Sequence, residues 1–231
     1  MTDLPERHPA HLIDAFAAAD GPPPDRLVPF MLWALRGAMP VLWVAGCLSA
    51  LVGTLEVVAA LLLGRIIDTA LATGAETFFA QNTAILIGAA AFFVLVRPVT
   101  FGVNAAATGM VVQPNVAPLV LSRLHRWTLG QAVGFFDDDF AGRIAQKQMQ
   151  ASNALTDVVA EIINVFFFAL ASVIGAAVML SAIDPRIAAA LTLWLIGYLA
   201  LISWFMPRIR SRSKARANAR SNVSGQVVDT I

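Results

Sequence analysis

Residues 187–206 read IAAALTLWLIGYLALISWFM, twenty consecutive positions without a charged side chain. At 1.5 Å per residue, a helix of that length covers about 30 Å, the thickness of a bilayer's hydrocarbon core. A chain in hydrocarbon must satisfy its own N–H and C=O groups, which leaves the helix and the closed β-barrel as spanning forms. Barrel strands alternate apolar and polar residues over about ten positions. This run is continuous and rich in Ala and Leu, so it reads as a spanning helix.

Working outward, Asp184-Pro185-Arg186 separates this span from an earlier apolar run at 158–183. A connection that short is a tight turn between antiparallel helices. Two further runs stand at 40–63 and 84–112. Each holds one charge in its interior, Glu56 in the first and Arg97, followed by Pro98, in the second. Pro40 suits the first turn of a helix, where its missing N–H costs nothing. Gly46, Gly53, Gly88, Gly175 and Gly197 lie inside the spans, where small residues let helices approach closely.

The composition agrees. Of the 231 residues, 58% are hydrophobic and 13% charged, with a mean hydropathy of +0.72; a soluble domain carries about 25% charged residues. The expected fold is all-α, a polytopic membrane protein with four long transmembrane helices extending into the cytoplasm. A net charge of +1 implies no nucleic-acid partner. The single Cys47 leaves no internal disulfide, and three scattered His make no metal site. The first residues lack the basic region and apolar core of a secretory signal, so cleavage is not expected.

Residues 1–26 read as a cytoplasmic N-terminal tail, Pro-rich at its end and loosely ordered. Within it, 11–19 has the spacing of two amphipathic turns with Leu12 and Phe16 on one face. Residues 27–36, LVPFMLWALR, are too short to span. Trp33 and the flanking Arg26 and Arg36 suit a helix lying in the interface; the alternative is the first turns of the next helix.

Lys and Arg set the orientation. With the N-terminus inside, Arg7, Arg26, Arg36, Arg123, Arg126, Arg143, Lys147 and the C-terminal basic residues all fall on the inner side. Arg65 and Arg186 fall outside. That asymmetry places the N-terminus in the cytoplasm. The inner connection, about 113–157, is too long for a structureless loop. Spans two and three are therefore expected to continue as helices beyond the bilayer and meet at a turn. After the fourth span, Arg208, Arg212, Arg216 and Arg220 recur every four residues. On a helix they form a basic stripe suited to anionic headgroups.

The turn falls at 133–150, VGFFDDDFAGRIAQKQMQ. Phe135 and Phe136 are aromatics far from the membrane, and aromatics in such places anchor partners. Asp137, Asp138 and Asp139 can cap a following helix. Gly142 permits close approach. Phe136-Asp137 followed by Gly142, Ile144 and Lys147 resembles the first cytoplasmic loop of ATP-binding cassette (ABC) exporters. GRIA at 142–145, ASNALTDVV at 151–159, IDPR at 183–186 and SGQVVD at 224–229 are similar to the same family, in the same order. The resemblance runs from 27 to 231, the N-terminal part of the transmembrane domain of a fused permease/ATPase protein. There are departures: Lys147 stands where the family has Arg, and Ala151 where it often has Asp, which puts a salt bridge at this turn in doubt.

The resemblance implies an elbow helix at 27–36 and a coupling turn at 133–147. At that turn Phe135, Phe136, Asp137, Asp138, Asp139, Gly142 and Arg143 would dock to an ATPase domain. It also implies a homodimer or heterodimer in a membrane such as the bacterial inner membrane, and ATP-driven export. The family has six spans and a P-loop; this sequence has four runs and no G-x-x-x-x-G-K-[ST]. ATP and Mg are thus expected on an ATPase domain absent from this chain, and the chain is expected to be part of a longer protein. No catalytic, cofactor-binding or metal residues are expected within it.

Glu56 and Arg97 are candidate residues of the translocation path, because a charge within a span usually faces a cavity or a partner. For Glu56 the alternative is outer water. For Arg97 the alternatives are snorkelling or pairing, with Glu56 as one available partner. Two other functional classes stand beside export. A non-transporting membrane scaffold would use the cytoplasmic arms to bind proteins. A membrane-embedded enzyme would show clustered ionisable residues, and these two are isolated.

Overall fold

The computed structural model describes residues 12–74, 77–137 and 141–228, with side chains except at 134, 137, 141, 210 and 214–228. Every regular element among them is helical. The chain divides into two units, Met1–Gly175 and Ala176–Ile231.

In the first unit a short helix, α1 (Leu27–Ala34), is followed by α2 (Met39–Thr73). Pro40 sits in the first turn of α2, the position expected of it. Gly37, with φ of +92°, takes the left-handed conformation that turns the chain between the two. A single turn, α3 (Phe78–Gln81), leads into one long helical run: α4 (Thr83–Ala91), α5 (Arg97–Ala106) and α6 (Gln113–Leu129). They are joined without a break by π-helical turns at Phe92–Val96 and Ala107–Val112. Each π turn ends two residues before a proline, Pro98 and Pro114. Proline lacks the N–H of the helical ladder and its ring clashes with the carbonyl four residues back; the wider turn relieves both. After the short α7 (Gly134–Asp137) comes α8 (Ala141–Glu161), a third π turn (Ile162–Phe167) and α9 (Phe168–Ile183).

Among the described residues, four helices are long and apolar enough to cross a membrane: Met39–Thr73, Thr83–Leu129, Gly142–Ile183 and Pro185–Ser213. The second and third have 47 and 42 residues. At 1.5 Å per residue they reach roughly 70 and 63 Å, about twice a hydrocarbon core. Both therefore run well past the bilayer, as the spacing of the inner connection requires. Thr108 of the long second helix meets Asn164, and Thr128 meets Gln148. That register makes α6 and α8 an antiparallel pair.

The core of the unit lies where α1, the start of α2, α6 and α8 converge. Val112, Val116, Leu119 and Val120 recur at helical spacing along one face, against Leu155, Val159 and Ile163 on the other helix. Farther along, α2 packs against the third π turn and α9 through small residues. A Cβ at Gly46 would lie 2.9 Å from the Phe167 ring. One at Gly53 would press on the Phe168 carbonyl oxygen and lie 2.9 Å from Ser172 Oγ. The space left by Gly53 lets Ser172 Oγ donate to its carbonyl at 3.1 Å. Gly175 makes the same kind of room for Val57. A Cβ at Gly88 would meet nothing within 4 Å, so no described helix of this unit uses the approach that it allows. Glycine in a span permits approach, but only a helix on that face makes use of it.

The segment before α1 departs further from the sequence reading. Residues 12–25 are not a loose tail; they lie along α6. Ile13 is 3% exposed and belongs to the core, whereas Leu12 and Phe16 are 62% and 68% exposed. Ser122 Oγ donates to the Ala15 carbonyl at 2.8 Å, and Trp33 Nε1 to that of Asp20 at 3.1 Å. The partner for this segment is over a hundred residues away in sequence, so local spacing could not identify the buried side chain.

In the second unit, Asp184 alone separates α9 from α10 (Pro185–Val228). Its Oδ1 accepts the Arg186 N–H at 2.8 Å, capping α10 behind Pro185. On α10, Trp194 stacks on Tyr198 and the Arg208 guanidinium lies 3.8 Å from the Trp204 ring centroid. The backbone of α10 is helical through the positions of the basic stripe.

Candidate functional site

Two places in the first unit concentrate polar chemistry. One is a seam among the spans. Arg97, Phe101, Asn104 and Thr108 recur every three or four residues, so they share one face of the long second helix. Arg97 Nη2 donates to Glu56 Oε1 of α2 at 2.6 Å, both side chains about a third exposed. The guanidinium also stands 5.7 Å from the Phe101 ring centroid. Of the roles open to these charges in the sequence, the geometry selects pairing. One lone charge at the centre of a span costs about 2.5–3.5 kcal/mol. A charge-assisted hydrogen bond offsets part of that for both partners at once.

About three turns on from Arg97, Thr108 Oγ1 lies 3.2 Å from the Asn104 carbonyl oxygen and 3.2 Å from Asn164 Oδ1. The hydroxyl has one hydrogen, so it can donate to only one of them at a time. Asn104 Oδ1 is buried without a protein partner. Asn164 lies within the third π turn, and Thr108 within the second. Such turns shift a side chain's direction relative to the regular helix and are frequent at functional positions.

The Glu56–Arg97 pair makes a measurable prediction. Glu56→Gln and Arg97→Gln should each destabilise the protein in detergent, because each leaves the other charge uncompensated. The double variant should recover part of the loss. A double-mutant cycle from chemical unfolding should give a coupling of about 1–3 kcal/mol. Additivity within about 0.5 kcal/mol would mean that the pair carries no interaction.

The second place is the far end of the α6–α8 hairpin. Gln148 Nε2 donates to Thr128 Oγ1 at 2.6 Å, tying the two helices just before the turn. Phe135 meets Trp127 of α6 edge to face, with centroids 6.2 Å apart. Phe136 packs on Phe135 in the same manner at 5.3 Å. Both phenyl rings remain more than a third exposed. Phe135 is thus held by α6 and in turn supports Phe136, and the two rings are exposed to a similar degree. Asp137 ends α7, but its side chain lies outside the described residues, as do Asp138 and Asp139. Gly142 and Arg143, both exposed, lie in the first turn of α8, and a Cβ at Gly142 would meet open space. The hairpin tip gathers Phe135, Phe136, Gly142 and Arg143 at one end, and the seam gathers Glu56 and Arg97 elsewhere.

One residue of evident consequence was missed in the sequence. Arg123 of α6 is 3% exposed. Its Nε donates to Ala17 O at 3.0 Å, its Nη1 to Trp33 O and Ala34 O at 2.9 Å each, and its Nη2 to Arg36 O at 2.7 Å. The last carbonyls of a helix have no partner within it. Arg123 supplies that partner for α1 and clips the preceding segment to α6. A signal was present: Arg123 continues the apolar stripe of Val112, Val116, Leu119 and Val120, where a basic residue is out of place unless it is bonded.

Comparison with known proteins was made on this geometry. The model of the ABC transporter transmembrane region matches residues 42–231. A relative from Haemophilus influenzae, described as an uncharacterized ABC transporter ATP-binding protein, is 27% identical over 208 residues, 90% of this chain and 34% of the relative. The chain therefore spans about a third of that relative's length. No solved structure matches the chain.

Proposed function

The chain belongs to the ABC transporter transmembrane-region family, and from that premise we propose that it builds part of the membrane pathway of an ATP-driven exporter and docks an ATPase domain through the α6–α8 tip. The observation that carries the reading is the hairpin itself. Two spanning helices exceed the thickness of a hydrocarbon core by about 30–40 Å and lead to an exposed aromatic pair, Phe135 on Trp127 and Phe136 on Phe135. A rigid hairpin of that length is a lever. A closure at its tip reaches the spans as rigid-body motion. Phe135 and Phe136 are the anchors in this proposal. Asp137, Asp138, Asp139, Gly142 and Arg143 surround them.

In the same reading the N-terminus and the tip lie in the cytoplasm, following the Lys and Arg distribution. The Glu56–Arg97 pair borders the path, and two transmembrane domains together enclose it. ATP and Mg bind on the ATPase domain and supply the energy of closure; this chain's part is to receive the motion. The test uses Phe136→Cys with Cys47→Ala in the full-length protein and a bifunctional thiol–amine reagent. Cross-links should join position 136 to the ATPase domain. Thr73→Cys, on the opposite connection, should give none. Equal cross-linking from both positions would overturn the docking assignment.

A further inference from the structure

Arg123 and Arg126 stand one turn apart on α6. Together with Ala18, Ala19 and Trp33 they border a pocket of about 300 Å3, to which Trp127 and Gln131 add the wall at the end of α6. None of the seam residues lines it. We propose that this pocket binds a small aromatic anion, its acid group on Arg126 and its rings against the indoles of Trp33 and Trp127.

Three features of the wall select that chemistry. The first is charge. No Asp or Glu lines the pocket. The Arg123 guanidinium bonds only to neutral carbonyls, and being buried it is screened less than a surface cation. The Arg126 side chain has no hydrogen bond or ion pair among the described residues. Two whole positive charges are therefore offset only by about half a negative charge from the end of the α6 dipole. An anion restores the balance. The second feature is the set of open donors. Arg126 keeps its planar fork, which matches a carboxylate through two parallel bonds. The indole N–H of Trp127 also lacks an acceptor among the described residues, whereas that of Trp33 is taken by the Asp20 carbonyl at 3.1 Å. The third is size and rigidity. A cavity of about 150 Å3 can hold one benzene. At about 300 Å3 this pocket has room for two fused rings and an acid group. Its indoles are already held, Trp33 by Asp20 and by Phe30 stacked at 6.0 Å, Trp127 by Phe135 at 6.2 Å. Preformed walls spend little ordering entropy on a ligand.

A ligand here would join residues 18–21 to α6 beside the Arg123 clip, next to the Trp127 on which Phe135 rests. The inference does not depend on export or on docking of an ATPase domain. Its test is a calorimetric titration of the full-length protein in mild detergent with 2-naphthoate, its neutral analogue 2-naphthamide, and acetate. Naphthoate should bind one saturable site per chain, at least tenfold more tightly than either control. Arg126→Gln should lower naphthoate affinity at least tenfold, to the level of naphthamide. Ala18→Trp, at an exposed position of the wall, should abolish saturable binding by filling the pocket. Arg26→Gln, an exposed cation outside the wall, should leave affinity unchanged. Hydrogen exchange locates the site in the wild-type protein without any variant: naphthoate should slow the amides of 18–21 and 126–131. Absence of saturable naphthoate binding overturns the proposal, and so does equal binding of naphthoate and either control. Full affinity in a folded Arg126→Gln protein overturns it as well. Protection confined to the apolar spans would mean partitioning onto their surface and would also contradict the site.

Discussion

Replacing Arg123 by Ala is expected to lower stability by about 3–5 kcal/mol and to free the N-terminal segment together with α1. The guanidinium donates to four backbone carbonyls on Ala17, Trp33, Ala34 and Arg36. Hydrogen bonds from a charged donor contribute about 1.5–3 kcal/mol each at best, and a buried acceptor left empty costs about 1–3 kcal/mol. Some of the four carbonyls will regain water once the segment loosens, which keeps the sum below four full penalties. Arg123→Lys should recover only part of the loss. One ammonium has three donors on a single nitrogen and cannot fan out to Ala17 and to the carbonyls at the end of α1 together. Hydrogen exchange reads this directly. Amides of residues 13–36 should exchange much faster in Arg123→Ala, while those of the α6–α8 pair, held by their own apolar stripe, should keep their protection. Uniform loss of protection across the unit would show that Arg123 supports the whole core rather than the clip.

How much of this was legible depended on whether the determinant was local. The four spans were plain because an uncharged run of twenty residues admits few structures in lipid. The continuation of two spans beyond the bilayer was legible from an inner connection, about 113–157, too long to be a structureless loop. Glu56 and Arg97 stood out as the only charges inside their runs, but their pairing depended on relative depth, which no sequence pattern encodes. Ile13 could not be told from Leu12 or Phe16, since its burial is decided by α6, far along the chain. Arg123 was counted as one more inner cation, although its register on the apolar stripe marked it as a buried donor. Among the glycines, Gly46, Gly53 and Gly175 meet a neighbouring element and Gly88 does not; which faces receive a neighbour is a property of the assembled bundle.

The second large effect concerns the tip. Phe136→Ala should weaken docking of the ATPase domain about 30-fold, the equivalent of the roughly 2 kcal/mol lost when a buried interface aromatic is truncated. Phe136 is suited to that role because it is exposed and already packed on Phe135, which rests on Trp127, so little ordering entropy is spent on binding. Its removal leaves the α6–α8 packing intact, since it takes no part in the core. The spans should therefore still insert and fold. Phe135→Ala should do more damage than Phe136→Ala to the local turn, because it also removes the contact with Trp127.

The most direct measurement follows the lever from its tip to the seam. In the full-length protein with Cys47→Ala, a cysteine introduced by Thr100→Cys lies half-buried on the helix of the Arg97 stripe. Its reaction rate with a small thiol reagent is compared in reconstituted vesicles with and without ATP and vanadate. With Phe136 present, trapping the nucleotide should change that rate several-fold, reporting movement of the second span. With Phe136→Ala, ATP hydrolysis should persist while the rate at position 100 no longer responds. An undiminished response in the Phe136→Ala protein would contradict coupling through the tip and leave α7 as only a turn between two helices.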